Sequence, residues 1–98
     1  MAFVQIVEFD TEQLEKVQKI GEEWEKATEG KRLVNRRVLC KDRDRPDHYL
    51  NIVFFNSYED AMRNSSLPET EGFAQRMAEV TSGPAAFHNL EVLEDKSY

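Results

Sequence analysis

The chain has 98 residues, 40% of them hydrophobic and 33% charged, with a formal net charge of -6. That balance describes one folded domain of modest core and gives no electrostatic basis for binding nucleic acid. The lone cysteine, Cys40, excludes an internal disulfide and a cysteine-based zinc cage, and the longest unbroken apolar run, Ile52 to Phe55, is far too short to span a membrane.

An apolar run from Ala2 to Phe9 reads as the first strand. It follows the first residue directly, with no basic or apolar leader pattern, so a cytoplasmic location is expected. Asp10 or Thr11 is placed to cap a helix, with Glu12 and Gln13 in its first turn. Leu14, Val17, Ile20 (or Gly21), Trp24 and Ala27 recur at helical spacing, separated by Glu and Lys side chains. Gly30 is positioned to end this helix in a left-handed conformation. Leu33 to Lys41 forms the second strand. The polar segment Asp42 to Asp47, with Pro46 in it, turns the chain into a third strand, Tyr49 to Phe55. Ser57 caps a short helix through Asn64. Ser66-Leu67-Pro68-Glu69 has the spacing of a capping box, opening a helix that should bury Phe73, Met77 and Val80. Gly83-Pro84 stops it, and Ala86 to Leu93 is the last strand.

The order strand, helix, strand, strand, helix, strand predicts a ferredoxin-like α+β fold: a single domain with a four-stranded antiparallel sheet and helices on one face. An antiparallel strand with one wet face alternates apolar and polar residues. The first and third strands do not. Phe3, Gln5, Val7, Phe9, Tyr49, Asn51, Val53 and Phe55 should face the helices. The opposite parity, Val4, Ile6, Leu50, Ile52 and Phe54, is equally apolar and has no helix to cover it. Leaving that face in water would expose more apolar surface than monomers usually carry, so a homodimer packed sheet to sheet is expected.

The segment Asn51-Ile52-Val53-Phe54-Phe55-Asn56-Ser57-Tyr58-Glu59-Asp60-Ala61, set in this topology, resembles the dimeric α+β-barrel superfamily, which includes antibiotic-biosynthesis and haem-degrading monooxygenases. Family members often end this strand in Trp, where this chain has Phe55, and follow it with a polar residue, Ser and an acidic helix start. The resemblance implies a ligand between the helices and the sheet. It also implies that Asn51, four residues before the aromatic strand end, binds and polarises an electron-rich substrate. An amide donor can steady negative charge that develops on a substrate oxygen.

Gln5 stands roughly where haem-degrading relatives place an Asn. Their axial His has no counterpart here, because no residue from Ser57 to Ser82 is His. A metal-free, cofactor-free site is therefore expected. His88 alternates with Leu90 and Val92 and is a candidate base if it points inward. Tyr49, Val53, Phe55 and Trp24 are candidate pocket walls, and Arg76, three residues after Phe73, is a candidate contact for an anionic group. The resemblance implies a monooxygenase-like enzyme acting on a small apolar, aromatic or polyketide-like compound. A non-catalytic ligand-binding or stress-associated dimer uses the same pocket without turnover, and haem binding ranks third for want of the histidine.

Overall fold

The computed structural model describes residues 2–98. At its centre lie two antiparallel strands, β1 (Phe3–Asp10) and β3 (His48–Phe55), rich in the β-branched and aromatic residues that fit a pleated surface. Their register pairs Phe3 with Phe55, Val7 with Asn51 and Phe9 with Tyr49. Strand β2 (Val34–Lys41) pairs with the other edge of β3, and β4 (Ala86–Glu91) with the other edge of β1. The sheet order β2-β3-β1-β4 is that of the ferredoxin-like fold. Between the strands run α1 (Leu14–Ala27), α2 (Tyr58–Ser65) and α3 (Pro68–Val80).

The helix-side parity follows the sequence pattern. Phe3, Phe9, Tyr49, Val53 and Phe55 are buried there, beneath Val17, Ile20 and Trp24 of α1. One cluster joins Phe3, Val53, Phe55 and Ala61; a second joins Phe9, Val17 and Tyr49, with Leu39, Met77 and Val80 packed against it. On the other side Val4, Ile6, Leu50, Ile52 and Phe54 are only half-buried, and Leu90 of β4 joins them at 44% exposed. Cross-strand pairing adds Val38 and Cys40 of β2 to the same uncovered face.

The register of β2 shifts between Val34 and Arg36, so Asn35 is an extra residue in the strand. Such a bulge lets Val34 and Arg37 share the helix side although they are three positions apart.

Local capping departs from the sequence expectation in two places. Helix α1 begins after Gln13, not directly after Asp10 or Thr11. Thr11 instead accepts from Gln13 N at 2.9 Å and donates to Val80 O at 2.6 Å, tying the start of α1 to the end of α3. The capping box at Ser66 is also absent. Only two residues separate α2 from α3, so Ser66 still closes α2, donating its hydroxyl to Met62 O at 3.0 Å. Leu67 stands at the N-cap of α3, with Pro68 supplying the fixed φ of a helix start. Ser57 caps α2 as its sequence suggests, accepting from Asp60 N at 3.1 Å, and Gly30 has φ 83° just beyond α1.

Helix α3 buries none of its residues completely; Phe73, Met77 and Val80 are half-buried. The helix leans on α1 rather than lying flat on the sheet. Trp24 meets Phe73 with ring centroids 5.9 Å apart and donates its indole N–H to Thr70 Oγ1 at 3.1 Å. A hollow remains between α3 and the strands.

Thr11 is fully buried; one of its side-chain hydrogen bonds closes the start of α1 and the other reaches the end of α3. Replacing it with Val should leave a buried amide and carbonyl short of a partner and cost about 1–3 kcal/mol. The urea unfolding midpoint should fall accordingly; an unchanged midpoint would show that the tie between α1 and α3 contributes nothing.

Candidate functional site

The hollow is a cavity of about 480 Å³. Its floor is the helix-side face of the sheet, with Val7, Phe9, Val53 and Phe55, and Phe87 closes it from β4. Trp24 of α1 and Phe73, Ala74, Met77 and Ala78 of α3 form the walls. Its lining is mostly apolar, as in many small-molecule sites. A smaller lobe of about 420 Å³ adjoins it between α1 and β2, where Gln18, Glu22 and Glu25 reach the rim. Both lobes are lined by Asn51, Arg37, Gly21, Phe9, Phe73 and Met77.

Five of the residues singled out from the sequence line the main lobe: Gln5, Trp24, Asn51, Val53 and Phe55. Asn51 sits mid-strand on the floor, its Oδ1 3.4 Å from Arg37 Nη1. Gln5 donates to Asn89 Oδ1 on the neighbouring strand at 3.0 Å, so its amide is partly spent inside the sheet.

Three expectations require correction. His88 does not point inward. It pairs across the strands with Ile6, which places it on the uncovered face, where Nε2 meets Glu8 Oε2 at 2.5 Å. Tyr49 faces the helices but stacks on Phe9 at 5.8 Å and belongs to the packed core rather than the cavity lining. Arg76 is turned outward along α3 and pairs with Glu23 of α1, which holds the Glu23 carboxyl below its usual range.

Arg37, which in the sequence is one of a small basic cluster with Arg36 where a local anion site is possible, was not among the candidate pocket residues. The structure turns it over the cavity, with Nη2 3.0 Å from Glu25 Oε1. The signal available in the sequence was Gly21, a position without a side chain on the apolar stripe of α1. A Cβ there would lie 3.5 Å from Arg37 Nη2, already in van der Waals contact, so any larger side chain would compete with the guanidinium. Buried Asn64 was also missed; it accepts from Leu33 N at 3.3 Å and lines the far end.

A second polar cluster occupies the uncovered face. His48, its side chain 7% exposed, lies between Asp10 Oδ1, 2.8 Å from Nδ1, and Glu8 Oε1, 3.0 Å from Nε2. Only the imidazolium can donate to both carboxylates at once. Among the described residues no group of three or more His, Cys, Asp or Glu is arranged to hold a metal ion, and no helix is long and apolar enough to cross a membrane.

The architecture, a four-stranded antiparallel sheet with helices on one face, is similar over nearly the whole chain to that of several solved structures. Among solved structures, SnoaB from Streptomyces nogalater, a cofactor-independent oxygenase, is similar with a TM-score of 0.80 at 12% identity, over 96% of this chain and 95% of that one. Rv0793 from Mycobacterium tuberculosis gives a TM-score of 0.80 at 13% identity, over 99% of this chain and 100% of that one. A protein from Nitrosomonas europaea, provisionally named an antibiotic biosynthesis monooxygenase, gives 0.80 at 12% identity, over 98% and 94%. No family model and no curated protein matches the sequence. At such identities the likeness is one of fold.

The His48 cluster sets a pH dependence. Hydrogen bonds to Asp10 and then to Glu8 raise the pKa of His48 above its usual 6.5. His48, and after it His88, lower that of Glu8 below its usual 4.5. The raised histidine adds stability that is complete below pH 6.5 and lost as pH climbs through the folded value. The lowered carboxylate adds stability that is complete above pH 4.5 and lost as pH falls through its own. Both are at full strength between 4.5 and 6.5. The urea midpoint should therefore fall as pH rises above that window, and His48→Gln should remove most of the decline. A wild-type midpoint flat across that range would count against the charged histidine.

Proposed function

We propose that the protein is a homodimeric, monooxygenase-like enzyme that binds a small aromatic or polyketide-like compound in the cavity between α1, α3 and the sheet. The observation that carries this reading is an apolar cavity of about 480 Å³ with the Asn51 amide set into its floor. The fold likeness to SnoaB, a cofactor-independent oxygenase, supports it. In this reading the substrate supplies the electrons. An activated methylene flanked by aromatic rings loses a proton to give an electron-rich anion, dioxygen adds, and the carbon becomes a carbonyl while the second oxygen atom leaves as water. Asn51 would steady the negative charge on the substrate oxygen, as preorganised donors do, while Trp24, Phe55 and Phe73 hold the rings and exclude water. Gln5 would assist only by releasing Asn89.

The dimer belongs to the same proposal. Val4, Ile6, Val38, Leu50, Ile52, Phe54 and Leu90 form one apolar surface on the uncovered side of the sheet, self-complementary in character and flanked by polar groups. A second copy, laid sheet to sheet, would bury it at the spacing of stacked sheets. Sedimentation at micromolar concentration should report a dimer, and a monomer at that concentration would overturn the assembly.

A specific observation favours the second reading, ligand binding without turnover. His88, the histidine that might have served as base, lies on the far side of the sheet. Dioxygen uptake with anthrone separates the two. The enzyme reading expects catalysed uptake that Asn51→Ala lowers by about a hundredfold. Binding of anthrone with no uptake above the spontaneous rate would leave the binding module.

A further inference from the structure

We infer that the cavity selects a flat apolar molecule bearing one anionic group, and that this anion docks on Arg37 by displacing Glu25. The inference rests on the cavity being a ligand site, as proposed above, and adds the charge of what it takes.

The main lobe is mostly apolar and the smaller lobe more polar, and Arg37 and Asn51 line both. Arg37 is the only cationic side chain among the residues lining either lobe. Its side chain is 29% exposed, so the guanidinium stands at the cavity rim with solvent on one side. It has two protein partners, Asn51 Oδ1 at 3.4 Å and Glu25 Oε1 at 3.0 Å. A guanidinium has more N–H donors than two partners use, set in a planar fork that fits a carboxylate, enolate or sulfonate.

Gly21, buried mid-helix in α1, faces this guanidinium: a Cβ there would meet Arg37 Nη2 at 3.5 Å, an ordinary van der Waals contact, so an alanine would fit and any larger side chain would press on the arginine.

The acidic groups nearby oppose an incoming anion and must be weighed. Glu22 and Glu25 stand at the rim of the smaller lobe, and Glu71 lines the larger. Of these only Glu25 touches Arg37. Its side chain is 48% exposed, and an ion pair so placed is weak. It can swing into water when a better-seated anion arrives, so the protein carries a removable stand-in for the ligand's charge. Arg76 of α3, the arginine first considered for this role, is tied to Glu23 outside the cavity.

Two dyes that differ by a single anionic group test this: 1-anilinonaphthalene-8-sulfonate and the neutral N-phenyl-1-naphthylamine. Wild-type protein should bind both, the sulfonate more tightly. Arg37→Gln should weaken the sulfonate about tenfold or more and leave the neutral dye within twofold. Glu25→Gln should shift the sulfonate the opposite way, tightening it about two- to fivefold. Equal effects of Arg37→Gln on both dyes, or no tightening in Glu25→Gln, would overturn the inference while leaving the cavity a ligand site. Ala74→Trp, which fills the cavity from α3, should abolish binding of both dyes. If the neutral dye fails to bind wild type, or if both dyes still bind Ala74→Trp, the cavity reading falls and the inference with it.

Discussion

Everything in this molecule follows from a central pair of strands that is apolar on both faces. Strands β1 and β3 exchange a full antiparallel ladder and present large side chains up and down alike. A chain of this length makes one layer of helices, and that layer can shield one side only. The covered side becomes the core, and the uncovered side is left as a half-exposed apolar surface. Its edges are not uniformly apolar. The Glu8, Asp10 and His48 cluster lies on the same side of the sheet, so charge and grease share one face and fix how anything could lie against it.

The covered side is incompletely filled, and the cause is again geometric. Helix α3 is bound to α1 through Trp24, Phe73 and Thr70, with an ion pair from Arg76 to Glu23 beside them. Propped on its neighbour, it bridges the sheet instead of settling onto it. Phe9, Tyr49 and Val17 close one end, and Phe3, Phe55 and Ala61 the other. The space between them is the candidate site. Its polar features come from the sheet and the edge strand: Asn51 from the middle of β3, and Arg37 brought to the same side as Val34 by the bulge at Asn35.

The element order and the two-sided strands were legible in the sequence because period-two parity in β1 and β3 survives folding unchanged. Asn51, Val53 and Phe55 line the cavity on the face that the family resemblance implied, and Trp24 lines it because the apolar stripe of α1 turns toward the sheet. What failed was whatever depended on pairing partners. His88 alternates with apolar neighbours, yet those neighbours belong to the uncovered face, a fact set by Leu90 lying opposite Val4. Tyr49 was assigned to the correct face, but a ring 5.8 Å away on Phe9 takes its place in the core. Arg37 was not singled out because the side of the sheet it faces is set by the bulge at Asn35, which exists only in the pairing with β3. The capping box failed because two helices compete for the same serine.

The way α3 is held has a dynamic consequence. No residue of that helix is fully buried, and it is held by side-chain contacts, chiefly with α1 and through Met77 and Val80 with Phe9 and Tyr49, rather than by a strand ladder. Segments with little buried apolar contact open at low free-energy cost, well below that of global unfolding. The lid of the cavity is thus also its least secured wall: a guest could enter by a brief lift of α3 while the four strands stay closed, and backbone amides there would trade hydrogen with solvent long before those of β1 and β3.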